Sequence, residues 1–182
     1  MANHKQNNMD IKEALLEEHS KRQALLIKNY IGKDTQRFAQ LMDLFFSEEW
    51  RINQRAAYSM NFCVEAYPEL VTPYLEELIY NLEKEGNHDA VKRNTVRILQ
   101  NIDLPEPLLG PAADVCFRLL NNPNEAVAIR VFSMQVLYNI CLKEPDLANE
   151  LMLIIEEYLP YSTAGFKSRG KKILQKLDKL LK

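Results

Sequence analysis

The chain has 182 residues, enough for one domain with a sizeable core, and its 47% apolar and 26% charged residues are ordinary globular values. A formal net charge of −2 argues against a molecule that is basic throughout. No apolar run is long enough to cross a bilayer, Leu151 to Ile155 being typical, and Cys63, Cys116 and Cys141 are too far apart for a disulfide framework or a zinc site. They read as reduced core cysteines of a cytoplasmic protein.

Met1 to Asp10 is polar, without a charged-then-apolar leader, so residues 1–9 are expected to be a flexible tail and 10–182 a single domain. Asp10 suits an N-cap, and Ile11, Leu15, Leu16, Leu25 and Leu26 predict one helix to about Tyr30, closed by Gly32. Asp34 caps the next helix, with Phe38, Leu41, Met42, Phe45 and Phe46 on its apolar face. After Ser47 a further helix runs to about Tyr67 and stops at Pro68.

Tyr74 to Glu85 reads as a helix with Leu75, Leu78, Ile79 and Leu82 inward, ended by Gly86, and His88 to Ile102 as its partner. Gly110-Pro111 opens another. The cluster N121-N-P-N124 is a turn whose Asn124 caps a long helix to Lys143. Pro145 starts the next, Pro160 breaks it, and Ser162 or Thr163 caps the last, Ala164 to Leu181. No strand is predicted. The expectation is an all-α chain of about nine helices.

Four segments recur along this series: I52-N-Q-R55, A90-V-K-R93, V127-A-I-R130 and F166-K-S-R169, each followed by a helical run. Their arginines are 38, 37 and 39 residues apart. Two helices per period of about 40 residues is the mark of an α-solenoid. The segment Val127 to Leu142 is apolar around most of its girth, as befits a middle repeat. The last helix has one stripe (Ile173, Leu174, Leu177, Leu180, Leu181) opposed by lysines, as befits a polar-faced cap.

The segments S47-E-E-W-R-I-N-Q-R-A-A-Y-S-M and N122-P-N-E-A-V-A-I-R130 resemble the start of the second helix in HEAT repeats, and V136-L-Y-N139-I-C resembles the end of the third helix of an armadillo repeat. The resemblance implies a right-handed α-solenoid of about four HEAT-like helix pairs over Asp34 to Leu181, plus an N-terminal helix. Small bacterial HEAT-like chains of this kind are sometimes labelled adenylosuccinate lyase, but the long chain and the serine- and glycine-rich signature loop of those lyases are missing here. The resemblance also implies that Arg55, Arg93, Arg130 and Arg169 are repeat markers that bond to acidic or carbonyl groups in neighbouring turns.

Catalytic constellations are nearly absent. His4, His19 and His88 have no second ligand at metal spacing, and His88 with Asp89 best serves helix-start amides. The five glycines are scattered, so there is no phosphate-cradling loop. Ser59 and Ser133 have no nearby base. Neither an enzyme, a cofactor nor a metal is expected. Trp50, at a repeat turn, reads as packing between helix ends.

A second ladder, Asn61, Asn101 and Asn139, stands 6, 8 and 9 residues after its arginines, too irregular to share one face. The armadillo resemblance implies that such amides could hold a peptide backbone. The C-terminal segment from Lys167 carries seven bases (Lys167, Arg169, Lys171, Lys172, Lys176, Lys179, Lys182) against Asp178, leaving the rest of the chain acidic. Three readings apply to it: a solvated cap, contact with an acidic protein or the acidic body of another copy (a homo-oligomer), or phosphates of nucleic acid.

The favoured function is a non-enzymatic scaffold that binds a protein or peptide on a concave face through Tyr58, Asn101, Gln135 and Asn139. The alternative resembles HEAT-like DNA glycosylases and uses Arg93, Arg97, Arg169 and the terminal lysines on nucleic acid. A shared concave stripe of Lys92, Arg93, Arg97, Lys171 and Lys172 would favour the alternative.

Overall fold

The computed structural model describes residues 9–182 and is all-helical over them, with two compact units that divide between Leu75 and Glu76. The expected tail falls, apart from Met9, outside the described residues, as does His4.

The first unit holds α1 (Ile11–Glu17), α2 (Lys21–Ile31), α3 (Thr35–Phe45), α4 (Trp50–Ala66) and a 3₁₀ segment, Pro68–Tyr74. The single opening helix expected from the sequence is instead two. Glu18 is extended (φ −151°, ψ 139°), and the Ser20 hydroxyl accepts from the Gln23 amide to start α2 afresh. Leu16 and Leu26 consequently lie on exposed faces, while Ile11, Leu15, Ile27 and Ile31 enter the core with Phe38, Leu41, Met42 and Phe45. Asp34 caps α3 as expected, accepting from Gln36 and Arg37. Trp50 is 59% exposed at the first position of α4 rather than packed between helix ends.

The second unit contains α6 (Asp89–Leu99), α7 (Glu106–Asn121), α8 (Val127–Cys141), α9 (Ala148–Tyr158) and α10 (Ala164–Leu180), preceded by α5 (Leu75–Asn81), which begins at the boundary. Helix α8 packs against α7, α6, α10 and α9. Met134, Val136, Leu137, Ile140 and Cys141 are at most 2% exposed, which explains a helix apolar around most of its girth. Burial contributes about 1.5–3 kcal/mol for each such large side chain relative to leaving it in water. Helices α6, α8 and α10 lie side by side as one layer; α7 and α9 pack behind them.

Three expected boundaries moved. Helix α7 begins at Glu106, ahead of Gly110, and carries Pro111 inside it. The ring deletes one backbone hydrogen bond, yet Leu109, Ala112, Ala113, Val115 and Cys116 are buried along this helix and hold it. Asn124 does not cap α8: the N-cap is Ala126, and Asn124 donates its own amide to Oδ1 of Asn122. Helix α5 stops at Asn81, well before Gly86, whose φ of 76° closes the following turn. The expected core lists for α5 and for the buried cysteines hold.

A single device recurs at the helix ends. The last carbonyls of a helix have no partner within it and carry the negative end of the helix dipole. Here they receive side-chain donors from elsewhere in the chain. Arg55 Nη1 donates to Leu15 O (2.7 Å) and Leu16 O (3.0 Å), and Gln23 Nε2 to Ala14 O (2.8 Å), closing α1. Arg37 donates to Tyr30 O of α2, Asn53 to Phe45 O of α3, and Asn87 to Asn81 O of α5. Helix α7 receives Arg130 Nε on Leu120 O and the Tyr158 hydroxyl on Asn121 O, both at 2.8 Å.

Candidate functional site

The four motif arginines do three different jobs. Arg55 and Arg130 are the helix-end caps just described. Arg130 is 6% exposed, with its guanidinium over the rings of Tyr158 (4.3 Å) and Phe166 (4.9 Å), and burial pulls its pKa below the ordinary arginine value. Arg169 Nη1 donates to Gln135 Oε1 at 2.7 Å, joining α10 to α8. Arg93 is exposed on α6. The repeat spacing therefore marks equivalent places in the chain without fixing one contact.

Two of the four candidate contact residues, Gln135 and Asn139, come together in a hydrogen-bonded seam. Gln135 Nε2 donates to Asn139 Oδ1 (2.9 Å), and Asn139 Nδ2 donates to Gln100 O (2.8 Å), just past the end of α6. With Arg169 at the other end, the seam runs from α10 through α8 to α6. Lys143 continues it, donating to Leu104 O at 2.8 Å and pairing with Asp103 at 2.5 Å. Asn101 is exposed and adjoins the seam, but its amide donates to Arg97 O in the last turn of α6. Tyr58 belongs to the first unit, where its ring meets His19 and Phe62 edge-on at 5.3 and 5.2 Å. Asn61 is buried and donates to Ala57 O, so the three asparagines of the suggested ladder have three different acceptors.

The seam itself is half-buried and lies along the open stripes of its helices. On α6 the buried positions Ala90, Val91, Asn94, Thr95, Val96, Ile98 and Leu99 leave one open stripe, with Asp89, Arg93, Arg97 and Gln100 along it. On α8 the open stripe holds Val131, Gln135, Tyr138, Asn139 and Leu142. On α10 it is the side of Arg169, Lys172 and Lys176, the last with Nζ 4.9 Å from the centroid of the Tyr138 ring.

The seven-base C-terminal segment is therefore divided. Lys167 and Lys171 stand about 160° around the helix from Arg169, whereas Lys179, at about 80°, lies beside Lys172, at about 60°. Lys92 turns aside to a half-buried ion pair with Glu125 at 2.6 Å. The five bases whose common stripe would have favoured nucleic acid do not share one.

Charge is nonetheless sorted by layer. Helices α6, α8 and α10 carry ten lysines and arginines against two acids, Asp89 and Asp178; α7 and α9 carry Arg118 alone against five acids. Helix α8 has no acid at all. The open face combines guanidinium and ammonium groups on α6 and α10 with a neutral strip of amides, Tyr138 and aliphatic side chains on α8. What it offers is mostly hydrogen-bond donors, since Arg169 uses one of its five N–H groups in the seam and each amide uses one of two.

His88 Nδ1 accepts from the Ala90 amide, the helix-start role expected of it. Among the described residues no group of three His, Cys, Asp or Glu side chains is placed to hold a metal ion, and no helix is long and apolar enough to cross a membrane. The capping roles of Asn53 and Asn87 were missed by the sequence reading, although each asparagine follows a predicted helix end within eight residues.

A family model described as HEAT repeat domain matches residues 11–177, nearly the whole chain. The chain belongs to the HEAT repeat family, and its all-α, solenoid-class fold follows. No curated protein and no solved structure matches it.

Proposed function

We propose that this chain is a non-enzymatic scaffold that holds a protein or peptide partner on the open face of α6, α8 and α10. The observation that carries the reading is the seam itself. Gln135 and Asn139 are fixed by Arg169 and Gln100 O at the middle of an open stripe, each with an N–H to spare, and Tyr138 and Leu142 supply apolar contact beside them. Amides held in place lose little side-chain freedom when a partner docks, and an amide can serve both the donors and the acceptors of a peptide backbone. HEAT repeats are commonly interaction scaffolds, which supports the same reading; a cytoplasmic location suits the free, buried cysteines.

Asn139 caps the end of α6, so truncating it is expected to lower stability as well as binding. Leu142→Glu is the cleaner variant and Gln135→Ala the second, compared with Leu153→Glu on α9, a residue 68% exposed on the other layer. Quantitative capture of protein partners should fall with the first two and persist with the third. Thermal stability should be unchanged for the two leucine variants and lowered by about 1 kcal/mol for Gln135→Ala, which gives up its bonds to Arg169 and Asn139. Equal capture by all of them would refute the assignment to this face.

A further inference from the structure

We infer that the segment held on this face is acidic and amphipathic, with aspartate or glutamate on both flanks of an apolar stripe. The inference rests on the scaffold reading above and adds the partner's chemistry.

The arrangement of groups carries it. Two rails of net positive charge, Arg93 and Arg97 on α6 (with Asp89 one turn before Arg93 on the same side) and Arg169, Lys172 and Lys176 on α10, flank the strip of α8, whose open side chains are uncharged. Packed helix axes are about 8–10 Å apart, so the axes of α6 and α10 stand roughly 16–20 Å from one another, with Arg169 and Lys176 leaning inward onto α8. A helix is about 10–12 Å across with its side chains. A helical segment seated over α8 would place its apolar stripe on Val131, Tyr138 and Leu142, and carboxylates leaving its two sides would meet one rail each. An unbranched row of anions would satisfy only one rail and leave the apolar floor uncovered.

The internal pairing of the layer points the same way. Arg169 spends its bond in the seam on a neutral amide, and Lys176 lies over a tyrosine ring. The nearest acid on α10, Asp178, is on the far side of the helix from Arg169, about 180° around. The layer holds a surplus of positive charge beside a layer of opposite sign, a separation that costs self-repulsion and favours anionic ligands on one side only. Guanidinium groups bind carboxylates through two parallel hydrogen bonds, and exposed Arg93 has its fork open to solvent.

Binding of fluorescein-labelled synthetic peptides to the full chain, followed by anisotropy at 50 and 200 mM salt, tests this. The first probe is an 18-residue helix-forming peptide with leucines on one stripe and glutamates flanking it. The second replaces every glutamate by glutamine, and the third is an 18-residue glutamate-rich peptide without leucines. A 20-base single strand and a 20-base-pair duplex of DNA serve as polyanions of another class.

The expected result is binding of the first peptide at least ten-fold tighter than the second or third. It should weaken with salt and fall a further ten-fold in the double variant K172E/K176E, whose exposed side chains leave the fold unchanged by circular dichroism. Equal binding of the glutamine peptide would overturn the acidic assignment while leaving a peptide scaffold in place. Tighter binding of either DNA would overturn the peptide in favour of nucleic acid. Failure of all five probes at 50 mM salt would overturn the inference alone if partner capture still depends on Gln135 and Leu142, and both readings if it does not.

Discussion

Arg130 allows the energetics of the fold to be tested with two substitutions. It is a buried cation without a carboxylate: one nitrogen donates to Leu120 O, the plane lies over two rings, and Nη2 is buried without a hydrogen-bond partner. Three contributions favour it. A charged hydrogen bond contributes about 1.5–3 kcal/mol, each ring contact about 0.5–2, and the long side chain fills volume that would otherwise be empty. Against them stands a desolvation cost of several kcal/mol for a cation with no counter-ion.

Arg130→Ala gives up all three contributions at once, and relief of desolvation offsets only part, so a loss of about 2–4 kcal/mol is expected. Arg130→Met keeps most of the volume, replaces the ring contact by a thioether–aromatic one of about 0.3–1.5 kcal/mol and removes the desolvation cost. It is expected to lie within about 1 kcal/mol of the parent. Urea unfolding should be followed by far-UV circular dichroism, because Trp50, the one tryptophan, sits in the first unit and its fluorescence reports there. If Arg130→Met proves as damaging as Arg130→Ala, with m unchanged, the charge on the α7 terminus outweighs packing and the reasoning is wrong.

Arg55→Ala orphans the Leu15 and Leu16 carbonyls and should cost about 1 kcal/mol, with faster amide hydrogen exchange concentrated in α1; uniform acceleration through α2 to α4 would contradict a local cap. A Cβ on Gly170 would stand 3.0 Å from both Ile155 Cγ2 and Leu159 Cδ1, whereas at Gly165 the nearest atom is 4.0 Å away. Gly170→Leu should therefore lose about 1–3 kcal/mol in a urea titration through crowding, and Gly165→Ala should be neutral or slightly stabilising; the reverse order would show that α9 and α10 are not in close contact. Burial pushes the thiols of Cys63 and Cys116 up to about 12 and that of Cys141 to about 11. At pH 8 all three should react with a disulfide reagent only as fast as the protein opens and rapidly in denaturant, so a fast stoichiometric reaction in buffer would exclude this packing.

Most of the fold was legible because apolar periodicity and breakers act locally. Asp34, Pro68, Pro145 and Pro160 each act where the sequence placed them. The misreadings have physical causes of two kinds. Ser20 and Gln23 form the S-x-x-Q pattern of a helix start, a signal present in the sequence but outweighed by the continuous leucines around it. Pro111 inside α7 is different, since tertiary burial of Leu109 and Ala112 overrides a local preference that no sequence window reveals. The site divides likewise. Gln135 and Asn139 are one turn apart, so their shared face could be read from spacing. That Asn139 closes α6 and that Arg169 reaches Gln135 depend on packing between residues 34 and 39 positions apart.

The most direct test of the central claim is site-specific photo-crosslinking in cells, with a photoreactive residue at Leu142 on α8 or, separately, at Leu153 on α9. The account predicts discrete protein adducts from position 142, lost on introducing K172E/K176E, and none from position 153. Adducts arising from position 153, or nucleic acid captured at position 142, would contradict it.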